Sequence, residues 1–188
     1  PEVDPTDPND TPRGPLGPTR LVLSKPVIAA VAGPAVAGGM ELALWCDIRI
    51  MEQSAYLGVY CRRWGVPLID GGTVRLPRLV GQGRALEIIL TGRKVLAEEC
   101  LKIGACESLV PDGTSRAAAE AMAQEIARFP QVCVRADRYS TIAQYGRSVR
   151  EAMKQEWRSG QAPMRHDAVK GASRFSEGLG RHGDYKTI

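Results

Sequence analysis

A glutamate follows two glycines at the start of an apolar stretch, in the sequence AGGMEL (37–42). A carboxylate in the first turn of an apolar helix, shielded from water, could take or give a proton next to a bound ligand. The same charge could instead only complement the helix dipole, a contribution of about 0.3–1 kcal/mol. The position of Glu41 alone favours the dipole interpretation, so the rest of the sequence has to decide.

The sequence around Glu41 predicts strands, short helices and one long loop. Short apolar runs predict strands at 24–31, 48–52 and 55–60. Gly38 and Gly39 open a predicted helix over 40–46. The segment 62–72 is rich in Gly and Pro and predicts a loop that leads into a helix near Thr73. Pro77 is expected to interrupt that helix, because proline removes a backbone donor.

The second half of the sequence is predominantly helical in pattern. Helices are predicted at 82–91 and 97–103, each ended by a glycine, and a short strand at 107–111. From Thr114 onward the pattern shows no strand and predicts helices at 114–129, from Pro130 toward Tyr145, and at 148–159. We therefore predict an α/β core over 21–113 and a C-terminal helical region over 114–188. Six prolines in the first eighteen positions predict a surface loop or disordered segment over 1–20.

The composition excludes several classes of protein. A hydrophobic content of 44% and a charged content of 24% are typical of a globular protein with a core. The net charge of +4 lacks a basic stripe with interleaved aromatics, so we expect no nucleic-acid partner. Five cysteines without metal-ligand spacing favour a reducing, cytoplasmic compartment and predict no metal site. We expect no membrane span, since no run of about 18 apolar residues occurs, and no secretion, since no leader pattern opens the sequence.

Three ordered blocks carry a family resemblance. They are KPVIAAVAGPAVAGGMELALWCDIRI (25–50), LGVYCRRWGVPLIDGGTVRLPRLVG (57–81) and ALEIILTGRKVLAEECLKIGACESLVP (85–111). Together they resemble the crotonase (enoyl-CoA hydratase/isomerase) superfamily. The resemblance implies an α/β fold, a spiral of ββα units followed by C-terminal helices that assemble a homotrimer or a dimer of trimers. It also implies that strands and a G-A-D-L-like loop of the family lie upstream of these residues.

The resemblance further implies a chemistry and a set of residues. Members bind acyl-CoA thioesters and stabilise a thioester enolate with two backbone N–H groups, without a metal or redox cofactor. The N–H of Gly38 would be one donor, with close helix–sheet packing as the alternative reason for this glycine, and the upstream loop would supply the other. Glu41 matches the family's first catalytic glutamate. The remaining positions expected at the substrate are Ala37, Gly39, Cys61, Trp64 and Pro67.

Cys61 and Asp70 depart from the hydratase pattern. Cys61 stands where hydratases carry a second glutamate, and a thiol is a poor substitute, so it is either an apolar filler or a reactive group. Asp70 resembles the aspartate of dienoyl-CoA isomerases; the alternative is a helix cap that accepts the N–H of Gly72 or Thr73. The leading hypothesis is therefore a 2-enoyl-CoA hydratase. The rivals are an enoyl- or dienoyl-CoA isomerase using Glu41 and Asp70, and a non-catalytic acyl-CoA-binding subunit.

Overall fold

The computed structural model describes residues 14–180. Within this range the chain forms two compact units, one of residues 14–23 and 27–121 and the other of residues 24–26 and 122–180. Residues 1–13 of the proline-rich segment and 181–188 of the helical region lie outside the described residues.

Two three-stranded sheets form the centre of the first unit. The first sheet is parallel, in the order β1 (Ile28–Val31), β3 (Ile48–Glu52) and β6 (Ser108–Val110). The second sheet has the order β2 (Pro34–Val36), β4 (Tyr56–Gly58) and β5 (Lys94–Leu96). Strands β2 and β4 are parallel, whereas β4 and β5 are antiparallel.

The pair β1 and β2 is followed along the chain by the pair β3 and β4, and each strand of the second pair lies beside its counterpart in the first. The chain leaves β1 for β2 at Gly33, and α1 (Gly38–Trp45) then leads back to β3. Ile28 of β1 pairs with Ile48 of β3, and Pro34 of β2 pairs with Tyr56 of β4. The β1-β2-α1 segment is thus one ββα unit on which β3 and β4 begin the next, which confirms the α/β prediction.

Helices cover the remaining length of the first unit. They are α2 (Gly72–Val80), α3 (Gln82–Thr91), α4 (Ala97–Ile103) and the start of α5 (Ser115–Arg128). Fully buried side chains from strands and helices form one core, among them Met40, Met51, Leu57, Leu76, Ile88 and Val95. The helix predicted at 82–91 is confirmed, and the N–H of Gly92 closes it on the carbonyl of Ile88 at 3.0 Å.

The expectation that Pro77 interrupts its helix is wrong. Proline lies inside a continuous α2 from Gly72 to Val80. The neighbouring Leu76 is 1% exposed and packs in the core, and Arg75 bonds two carbonyl groups outside the helix. These tertiary contacts outweigh the cost of a proline in a helix, which is about 3 kcal/mol.

The regular secondary structure in the described residues of the second unit is helical. These are the end of α5, then α6 (Gln131–Ala143), α7 (Val149–Pro163) and α8 (Val169–Ser176), with a π-helical turn over Met164–Ala168. The side chain of Ser148 caps α7 by accepting the N–H of Glu151 at 3.3 Å. Helix α7 continues past the predicted end at Ser159, because a single glycine, Gly160, costs only about 1 kcal/mol in a helix.

Candidate active site

The N-terminus of α1 is built on a strained residue. Ala37 has φ 52° and ψ −125°, and it is the one non-glycine residue with positive φ in the described part of the chain. Its N–H donates to the carbonyl of Gly58 at 2.8 Å, which ties the turn to β4. Backbone strain of this kind costs about 1–3 kcal/mol and is common at functional sites.

Two backbone N–H groups at the start of α1, directly after the strained Ala37, make no hydrogen bond with the described part of the chain. Within residues 14–180, the N–H groups of Gly38 and Gly39 have no hydrogen-bond acceptor. Such groups at a helix N-terminus carry partial positive charge and favour an anionic or developing negative oxygen. A Cβ on Gly38 would lie 2.8 Å from Cδ1 of Leu16, so glycine also allows the Leu16 side chain to pack there. The structure is therefore compatible with both interpretations of Gly38, as a donor to a ligand and as a residue required for close packing.

Glu41 is buried one turn into α1. Its side chain is 3% exposed, and Oε1 accepts the N–H of Asp70 at 2.9 Å and that of Gly72 at 2.8 Å. A Cβ on Gly72 would come within 3.0 Å of Glu41 Cγ and Oε1, so only glycine admits this approach without displacement. The loop before α2 therefore fixes the Glu41 carboxylate through its backbone.

Asp70 is buried at the same loop but does not cap α2. The N-cap of α2 is Gly71, without a side-chain hydrogen bond. Asp70 is 3% exposed, and its Oδ1 accepts the Thr19 hydroxyl at 2.5 Å and the Leu16 N–H at 3.2 Å. The alternative in which Asp70 caps the helix is therefore wrong, because the carboxylate faces the segment before β1 instead.

One arginine lies among these acidic groups. Arg75 donates to the carbonyl of Asp70 at 2.9 Å and to that of Thr19 at 2.5 Å. Burial lowers the pKa of Arg75, and the negative charges of Glu41 and Asp70 act against that shift. The guanidinium thus binds two backbone oxygens and supplies a positive charge close to both carboxylates.

The loop residues expected at the substrate are placed differently from one another. Cys61 is half-buried and packs against the core, as a small apolar filler would. Trp64 is 83% exposed and Pro67 is exposed, so neither side chain packs in the core. Hydrogen bonds join Glu41 to Asp70 and Gly72. Among the described residues, no side-chain hydrogen bond joins Trp64 or Pro67 to these three.

The sequence interpretation missed Thr19. The proline-rich start was expected to be a loop or disordered, yet Gly14–Arg20 lies against Asp70 and Thr19 has no exposed surface. A short 3-10 helix over Pro18–Arg20 holds this residue in place. The available signal was a proline before a polar residue, since proline favours the first turn of a helix.

No group of three or more His, Cys, Asp or Glu side chains in residues 14–180 is arranged to hold a metal ion. None of the helices in that range has both the length and the apolar character needed to cross a bilayer.

Comparisons with known proteins identify relatives. A family model described as enoyl-CoA hydratase/isomerase matches residues 19–184. A putative enoyl-CoA hydratase/isomerase of Bacillus subtilis, YngF, is 42% identical over 120 residues, which are 63% of this chain and 45% of that protein. A probable mitochondrial enoyl-CoA hydratase of Dictyostelium discoideum is 35% identical over 156 residues, 82% of this chain and 56% of that protein.

Solved structures show the same fold. An enoyl-CoA hydratase from Bacillus anthracis aligns with a TM-score of 0.79 and 35% identity, over 82% of this chain and 60% of that one. The enoyl-CoA hydratase EchA1 from Mycobacterium marinum aligns with a TM-score of 0.81 and 31% identity, over 85% of this chain and 64% of that one. The chain spans about half the length of the two curated relatives. The match over nearly all described residues shows that the chain belongs to the enoyl-CoA hydratase/isomerase family.

Proposed function

We propose that the intact protein hydrates a 2-enoyl-CoA thioester, with Gly38 as an oxyanion donor and Glu41 as the proton-transfer group. The observation that carries this proposal is the Glu41 carboxylate, buried one turn from the unbonded N–H of Gly38 and fixed by two backbone N–H groups. A buried, oriented carboxylate is suited to moving a proton. The same reaction is supported by the similarity to a protein named probable enoyl-CoA hydratase and to a solved structure named enoyl-CoA hydratase.

In this mechanism the N–H of Gly38 binds the thioester oxygen. Negative charge grows on that oxygen when water adds to Cβ, and a preoriented donor stabilises the charge without reorganisation. Glu41 accepts the proton of the attacking water as the hydroxyl group adds to Cβ, and it then returns that proton to Cα to complete the hydration. The family takes a second oxyanion donor from an upstream G-A-D-L-like loop, and we include that donor in the proposal for the intact protein.

An enoyl- or dienoyl-CoA isomerase is the second candidate, and Asp70 favours it. Its carboxylate is buried beside Glu41 and does not cap a helix, whereas Cys61 supplies no carboxylate at the position of the second hydratase glutamate. Two buried carboxylates connected through one loop suit a proton that is removed at one carbon and delivered at another.

One assay separates these activities. The intact protein is mixed with crotonyl-CoA, with a 3-enoyl-CoA and with a dienoyl-CoA, and the products are followed by chromatography. Formation of 3-hydroxybutyryl-CoA supports hydration, and a shifted double bond without added water supports isomerisation. Tight binding of each thioester with no product would contradict both and would support a non-catalytic subunit. The Glu41→Gln variant is the control for background hydration.

We also propose that the protein assembles as a homotrimer or a dimer of trimers through its C-terminal helices. Val149, Met153 and Trp157 lie at intervals of four residues on α7, and they are 78%, 64% and 74% exposed. A row of apolar side chains at this spacing forms one face of a helix and favours burial against another surface. Sedimentation equilibrium of the intact protein tests the proposal, and a monomer at micromolar concentration would contradict it.

The remaining proposals concern cofactors and location. The chemistry of Glu41 and Gly38 needs neither a metal ion nor a redox group, with CoA entering as part of the substrate; dialysis against a chelator should leave turnover unchanged. All five cysteines are free thiols, which favours a reducing compartment such as the cytoplasm. Fractionation of the producing cells would test that location.

A further inference from the structure

The segment Gly14–Arg20 is bound tightly to the loop that carries Asp70. The Thr19 hydroxyl donates to Asp70 Oδ1 at 2.5 Å, and the Thr19 carbonyl accepts Arg75 Nη2 at 2.5 Å. In the other direction, Arg20 Nη2 donates to the carbonyl of Ile69 at 2.6 Å. Thr19 is therefore bonded through its side chain and its backbone, and it has no exposed surface.

Gly14 allows the segment to lie this close. A Cβ at Gly14 would overlap both Thr19 Oγ1 and Asp70 Oδ1, and Gly14 itself is buried. The backbone therefore passes directly over the bond between the hydroxyl and the carboxylate, where no larger residue fits. This close fit excludes water from the Oδ1 side of Asp70.

We propose that Thr19 is a positioning residue for Asp70, an inference that rests on the isomerase activity proposed above as the second candidate. A carboxylate can rotate about its side-chain bonds, and two donors on one oxygen remove that freedom. The Thr19 hydroxyl and the Leu16 N–H both bind Oδ1, so the direction of Oδ2 is fixed as well. In the described residues no hydrogen bond reaches Oδ2, which leaves this oxygen for the proton that moves along the acyl chain.

Three variants of the intact protein test the role of the hydroxyl. Thr19→Val keeps the shape and removes the donor, whereas Thr19→Ser keeps the donor. We expect Thr19→Val to lower kcat by about 10- to 100-fold, the usual cost of a misplaced catalytic group. KM should stay unchanged because Thr19 does not touch the substrate. Thr19→Ser should keep kcat near wild type, and Thr141→Val, an exposed threonine on α6, is the matched control.

A double-variant comparison separates positioning from general stabilisation. If Thr19 acts through Asp70, then Thr19→Val causes no further loss of kcat in an Asp70→Asn protein. An equal loss in both backgrounds, an unchanged kcat in Thr19→Val, or a loss in Thr19→Ser as large as in Thr19→Val would overturn the inference. If Thr19→Val does not fold, Thr19→Cys replaces it, because a thiol has nearly the same size and is a weak donor.

Crystal structures of the wild type and Thr19→Val give a readout that does not depend on turnover. We expect the Asp70 carboxylate to rotate away from its wild-type direction in Thr19→Val, and an unchanged Asp70 would overturn the inference. Turnover that is unaffected by Asp70→Asn would also overturn it, since nothing would need positioning. A wild type without turnover on any enoyl thioester contradicts only the proposed function, and the Asp70 direction then decides the role of Thr19.

Discussion

Glu41 and Glu52 are buried to the same degree, yet their surroundings differ. Their side chains are 3% and 4% exposed, and each accepts two hydrogen bonds at Oε1. Each also bonds the first N–H of a helix elsewhere in the first unit, Gly72 of α2 for Glu41 and Ser115 of α5 for Glu52. Burial and the hydrogen bonds at Oε1 therefore do not distinguish the two.

The groups beside each carboxylate do distinguish them. Glu52 ends β3, and Ser115 gives it both a backbone N–H and a hydroxyl, as in a helix cap. Glu41 lies in the first turn of α1, after the strained Ala37 and the unbonded N–H of Gly38. The loop that donates N–H groups to Glu41 carries a second buried carboxylate, Asp70. On these differences we propose a chemical role for Glu41 and a capping role for Glu52.

Replacing Glu41 has the largest expected effect. Glu41→Gln keeps the size and an oxygen that accepts the N–H groups of Asp70 and Gly72, but it removes the proton acceptor. We expect kcat for hydration to fall by about 10²–10⁴-fold, the usual range for the loss of an acid or base. Steady-state kinetics with crotonyl-CoA measures the change.

Glu52→Gln is the matched control for that experiment. It makes the same chemical change at equal burial, and we expect it to leave kcat unchanged because no substrate donor lies beside Glu52. Thermal melts of both variants establish that each is folded. An equal loss of kcat in the two variants would show that the difference between the two carboxylates is not catalytic.

Replacing Asp70 has a smaller expected effect. Asp70→Asn keeps the shape and an oxygen for the Thr19 hydroxyl, while Glu41 remains in place. We expect kcat to fall by about 10- to 100-fold with the fold intact. Kinetics with an enoyl and a dienoyl thioester measures the change, and a larger loss on the dienoyl substrate is expected if Asp70 serves isomerisation. Unchanged turnover on both substrates would remove Asp70 from the mechanism.

The sequence predicted the elements with strong local signals. The two glycines before Glu41 and the apolar residues after them located α1, and the short apolar run at 48–52 located β3. Strands β2 and β5 were missed because they begin with Pro34 and Lys94, residue types that are uncommon in strands. The π-helical turn and α8 were missed because Gly160 and Pro163 look like the end of a helix.

The candidate site was less predictable than the fold. Glu41 follows from one local motif, but the bond between Thr19 and Asp70 joins residues 51 positions apart. No periodic pattern carries a contact of that separation, and the proline-rich segment lacks the features of a strand or helix. The strained conformation of Ala37 is held by the hydrogen bond from its N–H to the carbonyl of Gly58. This bond forms because β2 pairs with β4 in the sheet.

The smallest expected effect is a pH-dependent loss of stability in Glu52→Gln. Hydrogen bonds from the backbone of Gly113 and from Ser115 lower the pKa of Glu52 in the folded protein. Because the folded pKa lies below the unfolded one, the ionised Glu52 stabilises the fold above about pH 4.3, and this contribution disappears as the pH falls through the folded pKa. Glu52→Gln should therefore melt at a lower temperature than wild type at pH 7.

Thermal melts of the two proteins between pH 7 and pH 3 measure the difference. The gap in Tm should begin to narrow below about pH 4.3, where the unfolded protein takes up the proton. It should close as the pH falls through the lower folded pKa of Glu52, where the folded carboxylate also becomes neutral. A gap that stays constant down to pH 3 would mean that Glu52 holds α5 by shape alone. In that case the charge of Glu52 would not stabilise the fold. The proposed contrast between a catalytic Glu41 and an electrostatic helix cap at Glu52 would then fail.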